Sequence, residues 1–88
     1  RLKRYKRLGS LGKTEKGELV LVNREGQAFL AGDLAIAIWN MCDGKISIEQ
    51  IVVRISKIAS VDEQVAKPMI EGVLQQMERV QLMEVIKE

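Results

Sequence analysis

The sequence predicts an α+β domain in which a small N-terminal antiparallel sheet of two or three strands packs on a three-helix bundle, in winged-helix-like order. Three observations carry this reading. A β-branched apolar run, Glu18-Leu19-Val20-Leu21-Val22, is followed by turn residues and a second short apolar run. An almost wholly apolar segment, Asp33 to Met41, has helical spacing. Beyond it, two stretches open on capping signals and repeat apolar residues every three or four positions.

The first run has strand composition. Asn23-Arg24-Glu25-Gly26 then supplies a turn that begins with Asn and ends with Gly, and Gln27-Ala28-Phe29-Leu30 makes the return strand. The first helix places Leu34, Ala37, Ile38 and Met41 on one face. Ala35, Ile36 and Trp39 on its other sides predict a central helix sandwiched between sheet and other helices, or else one partly covered by a partner, with Trp39 in the core or at an interface. Asp43-Gly44 reads as a tight turn with a structural Asp. Ser47-Ile48-Glu49-Gln50 is a capping box, and Ile48, Ile51, Val52, Ile55 and Ile58 carry the second helix to about Ala59. Ser60-Val61-Asp62-Glu63 reads as a second box opening the third helix. There Val65, Met69, Ile70, Val73, Met77 and Val80 form the expected apolar face, and Pro68 predicts a kink or a broken first turn near Lys67. Leu82 to Ile86 reads as a last short strand or an extended tail.

Composition excludes several function classes. With 88 residues the chain is one domain at most, able to bury about 64% of its unfolded surface. It has one cysteine, Cys42, and no histidine, so an internal disulfide is impossible and a Cys/His zinc site is effectively excluded. A nucleophilic Cys42 would lack a histidine base, and a buried thiol is the expected state. Gly12-Lys13-Thr14 resembles the end of a phosphate-binding loop, but Arg7 stands where that loop needs Gly. No carboxylate pair is set for acid–base work, so no enzyme activity, cofactor or metal is expected. No apolar run is long enough to span a membrane, and the lone thiol fits a cytoplasmic location.

Charge is unevenly placed. Residues 1–13 carry +6 while the whole chain carries +2, so the remainder carries −4. Residues 1–16 read as a basic N-terminal arm or peripheral strand and residues 17–88 as the single folded domain. Strands followed by three short helices also suit a winged-helix DNA-binding or transcription-related domain. Against it, the third helix, read as Val61 to Gln81, holds Asp62, Glu63, Glu71 and Glu78 against Lys67 and Arg79, a poor match for a polyanion.

The segment Ala35, Ile38, Trp39, Met41-Cys42-Asp43-Gly44, Ser47 and Ile51 resembles the core pattern of PqqD-like proteins, with the likeness extending over roughly Gly17 to Ile86. The chain departs from that pattern before the first helix, where Ala31-Gly32 and Leu34 stand for the usual Leu-Asn and Thr. The resemblance implies a peptide-binding module, or RiPP recognition element, acting as a peptide chaperone in pathways such as cofactor biosynthesis. Such a module holds a precursor's leader peptide by strand addition and presents it to a tailoring enzyme, often of the radical S-adenosylmethionine type. On this reading Gln27, Ala28, Phe29 and Leu30 form the receiving edge, and Met69, Val73, Gln76 and Met77 the helical wall. The same Met residues also suit a simple core role, and a homodimer stays open.

Overall fold

The computed structural model describes residues 2–88. Six strands and three helices follow one another as β1 (Lys3–Arg7), β2 (Ser10–Lys13), β3 (Leu19–Val22), β4 (Ala28–Leu30), α1 (Asp33–Met41), β5 (Asp43–Ile46), α2 (Ile48–Ala59), α3 (Glu63–Arg79) and β6 (Met83–Lys87). The α+β reading holds, but the strands form two antiparallel three-stranded sheets, ordered β5-β1-β6 and β2-β3-β4.

The basic N-terminal segment is therefore not peripheral. β1 is the middle strand of its sheet, pairing Tyr5 with Ile46 on one side and with Val85 on the other. Its cations also act inside the fold. The Arg7 guanidinium donates to the Asn40 carbonyl (3.1 Å), an acceptor that the C-terminus of α1 leaves open, and to the Cys42 carbonyl (3.2 Å), which also accepts from the Arg7 backbone N–H. Arg4 donates to the Lys45 carbonyl and pairs with Glu88 at 3.7 Å. Gly9 lets the chain pass from one sheet to the next. It sits at φ 84°, and a Cβ there would lie 2.1 Å from the Val22 carbonyl oxygen, so only glycine fits.

The β3–β4 hairpin forms as expected, closed by Asn23 N–H donating to Gln27 O and by Gly26 N–H donating to Asn23 O. Gly26 takes the left-handed conformation at φ 82° that this three-residue loop requires. α2 opens on the predicted reciprocal capping box between Ser47 and Gln50. The cap of α3 differs from expectation. Ser60 adopts φ 56° as the C-cap of α2, which removes it from the extended backbone an N-cap needs. Asp62 instead accepts from the Gln64 N–H. Pro68 lies within α3, which runs through it as one helix rather than breaking near Lys67. Asp43-Gly44 begins β5 rather than a simple turn. The Asp43 carboxylate accepts from the N–H groups of Lys45 and Ile46, which holds its pKa below the usual carboxylate range, the Lys45 bond foremost.

Ile38, Ile51, Ile55 and Ile70 are fully buried in one core shared by all three helices, with Leu21, Cys42 and Met83. α1 is not sandwiched on most sides, the first of the two arrangements its composition suggested. It buries Ile38 and Trp39, while Leu34, Ala35, Ile36 and Ala37 stay half-exposed. Trp39 belongs to the core: it is 5% exposed, and its indole N–H donates to the Leu8 carbonyl at 3.1 Å. Nor is the buried stripe of α3 quite the predicted one. It consists of Ala66, Ile70, Leu74 and Met77, while Val65 is 63% and Met69 38% exposed.

Candidate peptide groove

β4 is an edge strand, and what it offers follows from its register. Leu21 faces Phe29, Val22 faces Ala28 and Val20 faces Leu30. Because Asn23 and Gln27 form a hydrogen-bonded pair, antiparallel alternation makes Leu21–Phe29 the next such pair. Ala28 and Leu30 fall in the non-hydrogen-bonded positions between. Their N–H and C=O groups therefore point away from β3, toward the open edge. The Phe29 side chain turns inward against the core, whereas Leu30 is 69% exposed.

Beside this edge lies a groove of about 390 Å³. One wall is Phe29 and Leu30, with Ala31, Gly32 and Ala35 at the start of α1. The facing wall is Val73, Gln76, Met77 and Val80 of α3, and Leu21 and Leu82 also line it. Not one of these residues carries a charge. Gln76 alone has a polar side chain, so the groove suits apolar side chains with a single amide to orient them.

The two walls are joined at one end. Asn23 is 4% exposed; its side-chain amide donates to the Val80 carbonyl and to the Gln27 Oε1, both at 2.9 Å. Its own carbonyl accepts from the N–H groups of Glu25 and Gln27. One residue thus fixes the hairpin turn and ties it to the C-cap of α3. That cap is itself a closed turn: Leu82 N–H donates to Met77 O at 2.7 Å and Gln81 N–H to Glu78 O, with Gln81 at φ 64°.

The sequence-derived candidates divide accordingly. Phe29, Leu30, Val73, Gln76 and Met77 meet in the groove. Ala28 stands on the exposed edge beside it. Gln27 precedes the strand, and its side chain is engaged by Asn23. Met69 lies outside the groove, one turn beyond Val73 on the same flank of α3. Met77 is both core and wall, being 6% exposed. Sequence reasoning missed Asn23 as a latch, although its place at the turn start was noted, and missed the small residues Ala31, Gly32 and Ala35.

Other candidate chemistries gain nothing here. Burial pushes the Cys42 thiol up to about 12, and its Sγ donates to the Ile38 carbonyl, so it is held as an inert thiol. Gly12 and Lys13 lie within β2, not in a phosphate-binding loop. No group of metal-ligating side chains occurs among the described residues, and no helix among them is long and apolar enough to cross a membrane. α3 turns Glu71 and Glu78 outward, opposite to what a DNA-reading helix presents.

Comparison with known proteins bears on the family and the fold. The family model described as Coenzyme PQQ synthesis protein D (PqqD) matches residues 18–83. No curated protein matches the chain. Among solved structures, one similar fold is the PqqD truncation of Methylobacterium extorquens PqqCD, described as a functional and stand-alone RiPP recognition element. It is 23% identical with a TM-score of 0.70, covering 94% of this chain and 88% of that one. Another is lasso peptide synthetase B1 complexed with the leader peptide, 18% identical with a TM-score of 0.71, covering 96% of this chain and 99% of that one. With three quarters of its length matched by the family model, the chain belongs to the PqqD family.

Proposed function

We propose that this chain is a non-enzymatic recognition module that takes the leader of a precursor peptide as an added strand on β4 and presents it to a tailoring enzyme, of the radical S-adenosylmethionine type, in the cytoplasm. The observation that carries the reading is the pairing of two features: an edge strand with outward amides at Ala28 and Leu30, and an uncharged groove wall on α3 beside it. An edge strand offers main-chain hydrogen bonds to any sequence, and the adjoining apolar wall selects side chains. Both solved relatives support the reading, one as a stand-alone recognition element and one in complex with a leader peptide.

The test is an NMR titration of the folded protein with a synthetic leader peptide of a candidate precursor. Amide shifts should concentrate in β4 and the C-terminal half of α3. Ala28→Pro removes an outward N–H and should weaken binding tenfold or more, on the order of one lost hydrogen bond plus strand distortion. Val73→Asp places an unpaired carboxylate in the groove and should weaken binding at least as much. Thermal unfolding of each variant, run alongside, separates lost binding from lost fold. Shifts confined to β1 or α2 would reject the groove as the peptide site.

A further inference from the structure

The apolar face of α3 is longer than the strand edge beside it. β4 has three residues and spans about 10 Å. The groove wall from Val80 back to Val73 has the same length, about 10 Å at roughly 1.5 Å per residue. Its direction is set at one end, where Asn23, ahead of β4, holds the Val80 carbonyl. A strand on β4 therefore leaves the groove past Leu30, toward the N-terminal half of α3. There Met69 and Val65 continue the line of Val73 at intervals of four residues, for about 12 Å more. They are 38% and 63% exposed, and no charged residue of α3 falls on that stripe.

Gly72 supplies an independent observation. It stands inside the 17-residue α3, one helical turn from both Met69 and Gln76, at the solvent-side border of the same stripe. Glycine weakens a helix interior more than any residue but proline. Nothing inside the described chain asks for it here: its backbone is helical, and a Cβ at Gly72 would meet no atom within 4 Å. Neither a turn nor tight packing accounts for the missing side chain. A glycine on open helical surface, next to exposed apolar side chains, is what the close approach of another backbone needs.

We propose that the peptide held on β4 continues beyond it: its next residues run along α3, lay apolar side chains on Met69 and Val65, and pass with their backbone close over Gly72. The inference rests on the groove reading above. It commits the ligand to an extended stretch of about six or seven residues, enough for the roughly 22 Å between Val80 and Val65. Strand pairing anchors the half beside β4, and side-chain contact alone reads the half beyond it. That second half of the stripe carries no charged or amide side chain, so an acidic or basic peptide residue there would be desolvated without a partner. Any side chain at position 72 would lift the peptide off the stripe.

The experiment titrates the whole chain with the same synthetic leader peptide, following backbone amides by NMR, and measures urea unfolding of each variant. Gly72→Ala should raise the urea midpoint, as replacing glycine on an open helix surface does, and yet weaken the leader about three- to tenfold. A more stable variant that binds less cannot owe the loss to its fold. Gly72→Leu should weaken binding further, and Met69→Ser should weaken it too. Gln75→Ala, on the far side of Gly72, should leave affinity unchanged. Amide shifts should extend from β4 through Val65 to Gly72. Shifts in β4 with silence from Val65 to Gly72, or unchanged affinity in Gly72→Ala, would overturn the extension and leave the groove standing. Silence in β4 would overturn both. Shifts at Val65 and Met69 that follow protein concentration and not peptide would assign the stripe to a second copy of the chain and overturn the proposal.

Discussion

On one flank of α3, Val73, Gln76, Met77 and Val80 make an uncharged wall beside an unpaired strand edge. On the other, Glu71 and Glu78 join Glu49 of α2 around the buried Tyr5. Both concavities are of similar size, about 390 and 300 Å³, so volume does not separate them. What separates them is the lining. The groove is uncharged and open to a backbone, because Ala28 and Leu30 leave amides and carbonyls unpaired at its rim. The recess is charged in both signs, with Lys3 and Lys67 beside the three carboxylates. A single helix serves both because its three-sided cross-section gives one stripe to the core and leaves two flanks free. Each flank then follows its own residue pattern.

This contrast can be probed first through the residues just beneath each flank. Leu74 is 3% exposed under the acidic side, whereas Val73 is half-exposed on the groove side. Leu74→Ala should cost about 2–5 kcal/mol in urea unfolding, as a buried large-to-small change. Val73→Ala should cost about 1 kcal/mol or less while still weakening peptide binding. Equal costs would mean that the groove wall is really core.

Asn23→Ala should separate the two clefts. It strips the Val80 carbonyl of its donor and the turn of its acceptor, so a loss of about 1–3 kcal/mol is expected by chemical denaturation. Peptide affinity should fall with it, because the latch holds the groove walls at their spacing. Backbone amide shifts at Tyr5 and Glu71, in the recess, should stay small, and large shifts there would show that the two clefts share one mechanical unit.

Alkaline pH should act from the core and recess sides only, since the groove lining holds no titratable group. Cys42 has its pKa raised from about 9 to about 12 and Tyr5 is raised from its ordinary value of 10. Both groups hold their protons longer in the folded state than in the unfolded one. Their stabilisation is therefore complete below about pH 9 and is lost as pH rises toward 12. Unfolding free energy should decline across that window, and Cys42→Ala should flatten part of the decline.

The smallest effect is expected where the two flanks end together. Gln81 sits at φ 64° in the closing turn of α3. Gln81→Gly relieves that backbone cost and should raise stability by up to about 1 kcal/mol, read as a small rise in Tm. Peptide binding should be unchanged.

How much of this was legible beforehand varies by element. The α2 capping box and the Asn23–Gly26 hairpin were readable because their partners lie within four residues, and the same atoms that signal them also hold them. The start of α3 was misplaced by two residues because Ser60 is claimed by the end of α2, and a string of cap-forming residues does not say which one is free. The core stripe of α3 was misassigned at Val65 and Met69. Periodicity locates an apolar arc about 100° wide, and residues at its border turn to core or solvent according to what packs there. Ala66 and Leu74 won the core positions because α2 and β6 are the elements that pack against α3. The candidates Phe29, Leu30, Val73, Gln76 and Met77 line one groove, and their peptide-binding role is the proposal above; Asn23 was not legible as a latch, since its decisive partner, Val80, is 57 residues away.

The sequence by itself determined the local elements of this protein: which segments coil, how α2 caps, and where the hairpin turns. Only the tertiary structure decided that the basic N-terminal segment becomes a central strand, and that α3 shows a neutral flank to one cleft and an acidic flank to the other. Those outcomes depend on pairings such as Tyr5 with Ile46 and Val85, made between residues far apart along the chain. Local propensity carries no information about such pairings. They are selected only when the whole chain finds the arrangement that buries the most apolar surface with its hydrogen bonds satisfied.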